Sequence, residues 1–222
     1  MISLPSTVKT GDRRPLAVRV HEQISSDIID GKIPAGSALV QEQVAAQYGV
    51  SRTPVRDALT QITLEGLATL VPGQGYIVND LTAQNVKDVY EVRYTLEAMA
   101  ARQACGGHSA QQLIRLRAMV DEFESLDPND AAGLFEMGRQ FHAALVEPCP
   151  NEYLRTTLAA MWDHPIQRRI TMTYRQGREH QQNMARDHRR ILEALNSNDA
   201  DTVVEVLRFC HDPNDARPDS PR

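Results

Sequence analysis

Apolar residues recur at helical spacing near the start of the chain and again after a glycine turn. The first stripe returns at every fourth position and predicts a helix that ends at Gly31; its members are Leu16, Val20, Ile24 and Ile28. The second stripe, mostly at spacings of three and four residues, predicts a helix beyond Gly49; its members are Val50, Val55, Ala58, Leu59 and Ile62. Both helices are therefore expected to bury one face.

The pattern changes to short extended runs after Gly66. Residues 68–71 and 76–78 are rich in β-formers, and they flank the turn sequence Pro72-Gly73-Gln74-Gly75. This arrangement predicts a tight β-hairpin directly after the second helix. A helix-turn-helix followed by a hairpin is the pattern of a winged helix.

Everything beyond Thr82 reads as helical. We predict six helices over residues of about 83–104, 109–126, 131–146, 151 onward with a kink at Pro165, 178–195 and 199–210. Thr82 and Ser109 are predicted to cap the first two of these helices. The predicted fold class is mainly α, with an N-terminal winged helix-turn-helix that carries a small β-wing and a C-terminal all-α, six-helix antiparallel bundle. We place a disordered arm at 1–12, the winged helix-turn-helix domain at 13–80, the helical domain at 81–211 and a disordered tail at 212–222.

Two arginines stand on the polar face of the helix that follows Gly49. Ser51 is a suitable N-cap for that helix, but Arg52 at its start is disfavoured by the helix dipole. Aimed at a major groove, Arg52 and Arg56 can contact guanine edges or phosphates, and Thr53 can bind a phosphate oxygen. The alternative is a solvated polar face. The small residues and the turn glycine before the helix favour a DNA reader.

Composition adds limits to this picture. The chain has 222 residues, 41% hydrophobic content and a net charge of −5, which does not by itself suggest a nucleic-acid binder. Its N-terminus lacks an apolar signal region, and no apolar run is long enough to span a membrane, so we expect a cytoplasmic protein without membrane association. The three cysteines are widely spaced, which argues against a disulfide framework.

The run GVSRTPVRDAL followed by EGLATLVPGQGYIV resembles the GntR family of bacterial winged-helix transcription regulators. The resemblance implies double-stranded DNA as a partner and implies DNA contacts from a set of polar residues and the wing tip: Gln43, Ser51, Arg52, Thr53, Arg56 and Gly73. Family members often carry an arginine where this chain has Gln43, so one contact is expected to differ here.

Three further motifs resemble the FCD-type effector domain of that family, in its VanR-like six-helix form: VYEVRYTLEAMAA, FHAALVEPCPNEYL and DHRRILEALNSNDADTVVEVL. This resemblance implies a homodimer on a pseudo-palindromic operator. It also implies a small-molecule effector, such as an organic acid, and often a metal ion in the bundle core.

The family's metal pattern is a carboxylate, a histidine four residues later and two more histidines on the last two helices. His142 and His188 match two of these positions, whereas Gly138 stands at the carboxylate position and Cys210 at the last histidine position. His211 is an alternate ligand only if the last helix ends or shifts there, since each residue rotates by about 100°.

Three interpretations of these residues stay open. His142, His188 and Cys210 form a site for zinc or another divalent metal; or the histidines line an effector pocket without metal; or they are satisfied core histidines. Arg93 similarly has two interpretations, an ion pair with Glu97 or a clamp on an effector carboxylate.

The function predicted is a DNA-binding transcription regulator, a repressor, controlled by a metabolite in the helical domain. The chain shows no serine-nucleophile or phosphate-loop motif and no repeated Glu-x-x-His pair, so we do not expect an enzyme. The alternatives are a ligand-independent dimeric DNA-binding protein and a helical metalloenzyme.

Overall fold

The structure is a computed structural model, and it describes residues 13–174 and 177–211. The predicted disordered segments at 1–12 and 212–222 lie outside the described residues. The described chain forms ten helices and three strands: α1 (Leu16–Ile29), β1 (Ala38–Leu39), α2 (Gln41–Tyr48), α3 (Arg52–Leu64), β2 (Ala68–Val71), β3 (Gly75–Val78), α4 (Ala83–Ala104), α5 (Ala110–Ser125), α6 (Ala131–Leu145), α7 (Glu152–Trp162), α8 (Pro165–Tyr174), α9 (Gly177–Asn196) and α10 (Ala200–Cys210).

The described residues divide into two compact units. The first contains the residues up to Leu81 together with His164–Arg169, and the second contains Thr82–Asp163 and the residues from Ile170 on. The predicted fold class is confirmed, because a winged helix-turn-helix with a small sheet is followed by a mainly helical part.

The first unit is a winged helix built around α3. The predicted stripes are buried except for Leu16 and Val50, which are partly buried, and α3 packs against α1, α2 and β2. The fully buried members of this core include Val20, Ile24, Val55, Leu59, Ile62 and Leu67. Burial of each such side chain stabilises the folded state by about 1.5–3 kcal/mol relative to exposure.

The wing is an antiparallel sheet with the strand order β1-β3-β2. The hairpin was predicted, but β1 was not, because a two-residue strand has no periodicity to recognise. Ala38 pairs with Ile77 and Leu39 with Tyr76, and this pairing covers the edge of β3 that β2 leaves open.

The second unit is a helical bundle. Helix α4 packs against α7 and α10, α5 packs against α6 and α9, and α9 packs against α10. Capping boxes start two of these helices as predicted: Thr82 pairs with Asn85 at α4, and Ser109 pairs with Gln112 at α5. The core is apolar, and its largest fully buried side chains include Leu116, Phe141, Leu145 and Leu158.

The predicted fourth helix is divided rather than kinked. Helix α7 ends at Trp162, and Pro165 begins α8, so the described residues after Leu81 contain seven helices instead of six. Proline lacks a backbone N–H and therefore starts a helix more easily than it continues one.

Candidate functional site

A left-handed turn joins α2 to α3. Gly49 has φ +66°, and its N–H donates to the carbonyls of Ala45 and Ala46. The N–H of Val50 also donates to Ala45, at 3.0 Å, which completes a Schellman-type cap. A Cβ at Gly49 would meet no atom, so the requirement for glycine comes from the positive φ alone. This turn directs the start of α3.

Ser51 occupies the N-cap position of α3 in extended backbone, as predicted, but its hydroxyl makes no capping hydrogen bond within the described structure. The cap prediction is therefore correct in position and wrong in contact. Ser51 and Thr53 are both exposed at the start of α3. Gln43 is exposed on α2. These three side chains are accessible to a partner.

The two arginines of α3 face solvent and each contacts an acid. Arg52 Nη1 lies 2.7 Å from Glu42 Oε1, and its side chain is 65% exposed. Arg56 Nη2 lies 3.4 Å from Asp57 Oδ1, and its side chain is 62% exposed. Neither arginine is packed into the core of the unit, so both can contact a duplex once they leave or share these acids.

The tip of the wing is a tight turn from Val71 to Gln74. The N–H of Gln74 donates to the carbonyl of Val71 at 3.0 Å, and Gly73 has φ +77°. Proline followed by a glycine of positive φ is the pattern of a type II turn. Gly73 is exposed, and a Cβ there would meet no atom. The structure thus places Gly73 at the predicted tip.

Two polar contacts join α1 to the helix-turn-helix formed by α2 and α3. His21 Nε2 lies 2.8 Å from Glu65 Oε2, which joins α1 to the residue that caps α3. Tyr48 O–H donates to the fully buried Asp27 at 3.4 Å, which joins α1 to α2. Burial, followed by the charge of Asp27, raises the pKa of Tyr48, so its hydroxyl stays a donor. Sequence reasoning did not identify these contacts.

A second group of polar residues is buried in the helical unit, and we call it the Glu97 cluster: Glu97, His142, His188 and His211, all at most 3% exposed. His142 Nδ1–H donates to Glu97 Oε1, and His211 Nε2 lies 3.0 Å from Glu97 Oε2. Burial alone would raise the pKa of Glu97, but the charges and hydrogen bonds of the two histidines hold it well below its usual range. Glu97 is therefore ionised at neutral pH.

His211 contacts Glu97 through its Nε2 atom. Its Nδ1 lies 2.6 Å from the carbonyl of Leu207, and a carbonyl only accepts, so Nδ1 carries an N–H. Burial lowers the pKa of His211 to about 4, while the charge of Glu97 acts in the opposite direction. A neutral ring would present its Nε2 lone pair to the Glu97 carboxylate, so the contact is favourable only when a proton or a metal cation lies between the two atoms.

His188 is fully buried and packs against three other rings. It stacks on Phe141 with 3.9 Å between ring centroids, and it meets Phe123 and His142 edge-on. Neither of its ring nitrogens has a hydrogen-bond partner among the described residues, and the same holds for His142 Nε2. Burial lowers the pKa of His188 well below its usual value, so its ring is neutral. Buried unsatisfied nitrogens of this kind cost about 1–3 kcal/mol each.

Arg93 stands beside the cluster. Its Nε lies 3.4 Å from Glu97 Oε2, and its guanidinium lies 5.9 Å from the centre of the Tyr90 ring. The side chain is 11% exposed. The ion pair with Glu97 is thus present, while a clamp on an effector stays a prediction.

The arrangement differs from the one expected at two positions. Gly138 stands at the position where the family pattern has a carboxylate. In this structure Glu97 on α4 supplies the carboxylate of the cluster instead. Cys210 lies in the apolar core. His211 was expected to point away unless the last helix ends there. It is the residue after α10, and its ring reaches Glu97. The signal for Glu97 was available, since it falls on the buried stripe of α4 with Tyr90 and Ala104.

Comparison with known families decides the assignment. The family described as "FCD domain" matches residues 88–210, more than half of the chain, and "Bacterial regulatory proteins, gntR family" matches residues 16–78. The chain belongs to the GntR family of regulators with an FCD domain. The two matches cover the winged helix and the helical unit that contains the Glu97 cluster.

Individual relatives agree with this assignment. The chain is 26% identical over 202 residues to the HTH-type transcriptional regulator YdhC of Bacillus subtilis, covering 89% of each chain. It is 33% identical over 126 residues to the Nta operon transcriptional regulator of Aminobacter aminovorans, covering 57% of this chain and 60% of that protein. The fold is similar to that of Escherichia coli McbR/YncC, with a TM-score of 0.65, 20% identity and coverage of 90% and 95%.

This GntR-family protein is therefore a DNA-binding transcription regulator and not an enzyme. Among the described residues, no helix combines the length and the apolar run that crossing a bilayer requires.

Some FCD domains bind a metal, and the side chains of the Glu97 cluster are of the types that bind divalent metals. Three buried ring nitrogens have no hydrogen-bond partner among the described residues: His142 Nε2 and both nitrogens of His188. As the side chains are placed, Glu97 and two imidazoles satisfy one another, and no group of three His, Cys, Asp or Glu within the described ranges converges on one point. The chemistry of the donor set fits a divalent metal, although the present geometry pairs the donors instead.

Proposed function

We propose that this regulator is a repressor whose operator affinity is controlled by a small metabolite, an organic acid, bound at the Glu97 cluster. The observation that carries this proposal is the set of three buried ring nitrogens without partners in His142 and His188. A folded core rarely leaves such groups unsatisfied, since each costs free energy that a ligand would recover.

A core of satisfied histidines, with a helical domain that only dimerises, is the weaker alternative. His142 and His211 each have a partner in Glu97, as that alternative requires. His188 has none, and a purely structural position would be better filled by an apolar residue. A ligand-independent DNA-binding protein would leave the His188 ring unexplained.

On the DNA side, we propose that a homodimer places two copies of α3 in successive major grooves of a pseudo-palindromic operator. Arg52 and Arg56 contact bases or phosphates, Ser51 and Thr53 contact phosphates, and Gly73 lets the wing approach the minor groove. The exposure of these residues and the positive φ of Gly73 support this assignment. Gln43 is exposed on α2, so we propose that it adds a further polar contact to DNA.

The helical unit carries an apolar face suited to dimerisation. Val92 and Met99 are 51% and 52% exposed on the same side of α4, two turns apart. Tyr153 on α7, the neighbour of α4, is 83% exposed. Apolar side chains this exposed in a helical bundle favour contact with a second copy. Met99→Glu should therefore yield monomers in sedimentation analysis, whereas Gln182→Glu, exposed on α9, adds the same charge on another helix and should leave the dimer intact.

We propose repression rather than activation because a dimer that covers a promoter blocks polymerase by occupancy alone. An effector that binds the DNA-free form better releases the operator, by no more than the difference in its two binding free energies. Expression of a reporter gene controlled by the operator should rise in a strain that lacks the regulator. A fall in expression would show activation.

A divalent metal such as zinc is the second part of the proposal. The observation that favours it is the contact between the His211 Nε2 lone pair and the ionised Glu97, which a cation would stabilise. His142, His188 and His211 would hold the ion with Glu97 close by, and His211 replaces Cys210 of the sequence prediction. Bound there, a metal supplies fixed positive charge for an effector carboxylate, which would otherwise meet the charge of Glu97.

The test measures the affinity of the protein for the operator by fluorescence anisotropy, with and without each acid of a panel of organic acids. The measurement is repeated after a chelator has removed bound metal. An active acid should weaken the complex, and His188→Phe should remove the response while leaving operator affinity without acid unchanged. Elemental analysis of the same samples should find a transition metal in the wild-type protein and less in the variant. If no acid and no metal changes DNA affinity or thermal stability, the effector part is wrong and the ligand-independent alternative holds.

A further inference from the structure

Glu42 and Arg52 form an ion pair across the helix-turn-helix. Glu42 Oε1 lies 2.7 Å from Arg52 Nη1, and the two side chains are 66% and 65% exposed. Glu42 is in the first turn of α2 and Arg52 is the first residue of α3, so the pair joins two helices. The Glu42 carboxylate therefore lies beside the Arg52 guanidinium on the surface that we propose contacts DNA.

Such a pair contributes little to folding. Exposed ion pairs gain little energy in water and lose side-chain freedom when they form. The turn at Gly49 and the apolar contacts of α3 already fix the two helices. The consequence of the pair therefore concerns what Arg52 can bind.

The two classes of acceptor on DNA respond differently to a nearby carboxylate. A phosphate is charged, so Glu42 repels it when it approaches Arg52. The O6 and N7 atoms of guanine are neutral acceptors and are not repelled in this way. A guanidinium has five N–H donors in one plane, so Arg52 can donate to Glu42 and to a guanine edge at the same time.

We infer that Glu42 is a specificity-determining residue of DNA recognition, because it holds the Arg52 guanidinium, disfavours its contact with phosphate and leaves it available to a guanine edge. This inference rests on the proposed contact of Arg52 with DNA. Arg56 offers a contrast, since its acid, Asp57, is adjacent on the same helix at the longer distance of 3.4 Å. Arg56 is thus the less constrained of the two and the better phosphate ligand.

The test compares wild-type full-length protein with Glu42→Gln on two duplexes of equal length. One is the sequence that the wild-type protein enriches from a random pool, and the other is an unrelated sequence. Anisotropy titrations over a salt series should show that Glu42→Gln binds the unrelated duplex about threefold more tightly, with a salt slope steeper by about one phosphate contact. Affinity for the enriched duplex should change less, so the ratio of the two affinities falls.

Two controls separate a local effect from a change of total charge. Asp201→Asn removes one exposed carboxylate from another 2.7 Å ion pair, with Arg102, and should leave both affinities unchanged. In an Arg52→Gln background, Glu42→Gln should no longer alter the ratio. An unchanged ratio in the single variant, or an equal change in the Asp201 control, would overturn the inference alone. If the wild-type protein enriches no sequence, both the inference and the proposed DNA contact fail.

Discussion

His211 Nε2 lies 3.0 Å from Glu97 Oε2, and this contact joins the end of α10 to the middle of α4. The two residues are 114 positions apart in the chain. Both are buried, so the interaction is not screened by solvent. It makes Glu97 the centre of a polar cluster in an apolar bundle.

Replacement of Glu97 by glutamine should destabilise the protein strongly. The amide keeps the shape but loses the charge that accepts from His142 and pairs with the largely buried Arg93. Removing one partner of a buried charged pair costs about 3 kcal/mol. Urea unfolding of Glu97→Gln should show this loss, while Glu91→Gln, exposed on the same helix, should unfold like the wild type. Equal stability of the two variants would mean that the cluster is not energetically coupled.

Stability of the metal-free protein should fall as the solution becomes acidic. Burial lowers the pKa of His188 and lowers that of His211 to about 4. Below about pH 6.5 the unfolded chain takes up protons on these rings while the folded chain does not, so stability decreases from there toward pH 4. The pKa of Glu97 is also lowered, and its contribution is lost at still lower pH. Urea midpoints in chelator-containing buffers at pH 7.5, 6 and 5 check this, and constant midpoints would contradict it.

Gln181 should be more important than its neighbour on α9. Its Nε2 donates to the carbonyls of Phe123 and Leu126, at 2.9 Å and 2.8 Å, at the end of α5. Gln181→Leu removes the side-chain donor from both carbonyls, although Phe123 still accepts from the N–H of Leu126, and should cost about 1–3 kcal/mol of unfolding free energy. The exposed Gln182 is the matched control, since Gln182→Leu removes the same groups from the surface. A loss equal in both variants would show that the capping bonds contribute nothing.

Arg56→Ala should weaken DNA binding across sequences and lower the salt slope by about one, because Arg56 is the proposed phosphate ligand. A loss of about 1–3 kcal/mol confined to the operator would instead show a base contact. Anisotropy titrations at several salt concentrations distinguish the two outcomes. Arg117→Ala, exposed on α5, is the control for a lost positive charge. Operator binding that is unaffected in both variants would remove Arg56 from the interface.

Much of the fold could be predicted because it follows from local rules. The periods of Val20, Ile24, Val55 and Leu59 place them in one core, and the turn at Gly49 requires a positive φ. The two-residue strand β1 could not be predicted, since its pairing with β3 depends on residues far along the chain. The interruption at Pro165 was predicted, but as a kink within one helix and not as the boundary between two helices.

The Glu97 cluster shows where sequence reasoning stops. His142 and His188 were chosen from spacing, but Glu97 was considered only as a neighbour of Arg93 four residues away. Its partners lie 45 and 114 positions away, and no helical period connects them. His211 was predicted only as an alternate, for the case in which the last helix ends or shifts there, and α10 does end at Cys210.

Selection from a pool of random duplexes is the decisive experiment, because the proposed regulator works only if α3 reads a DNA sequence. The wild-type protein should enrich a two-fold symmetric sequence whose half-sites lie about one helical turn apart, and Arg52→Ala/Arg56→Ala should enrich none. Enrichment of the same sequence by the double variant, or of no sequence by the wild type, would contradict the account.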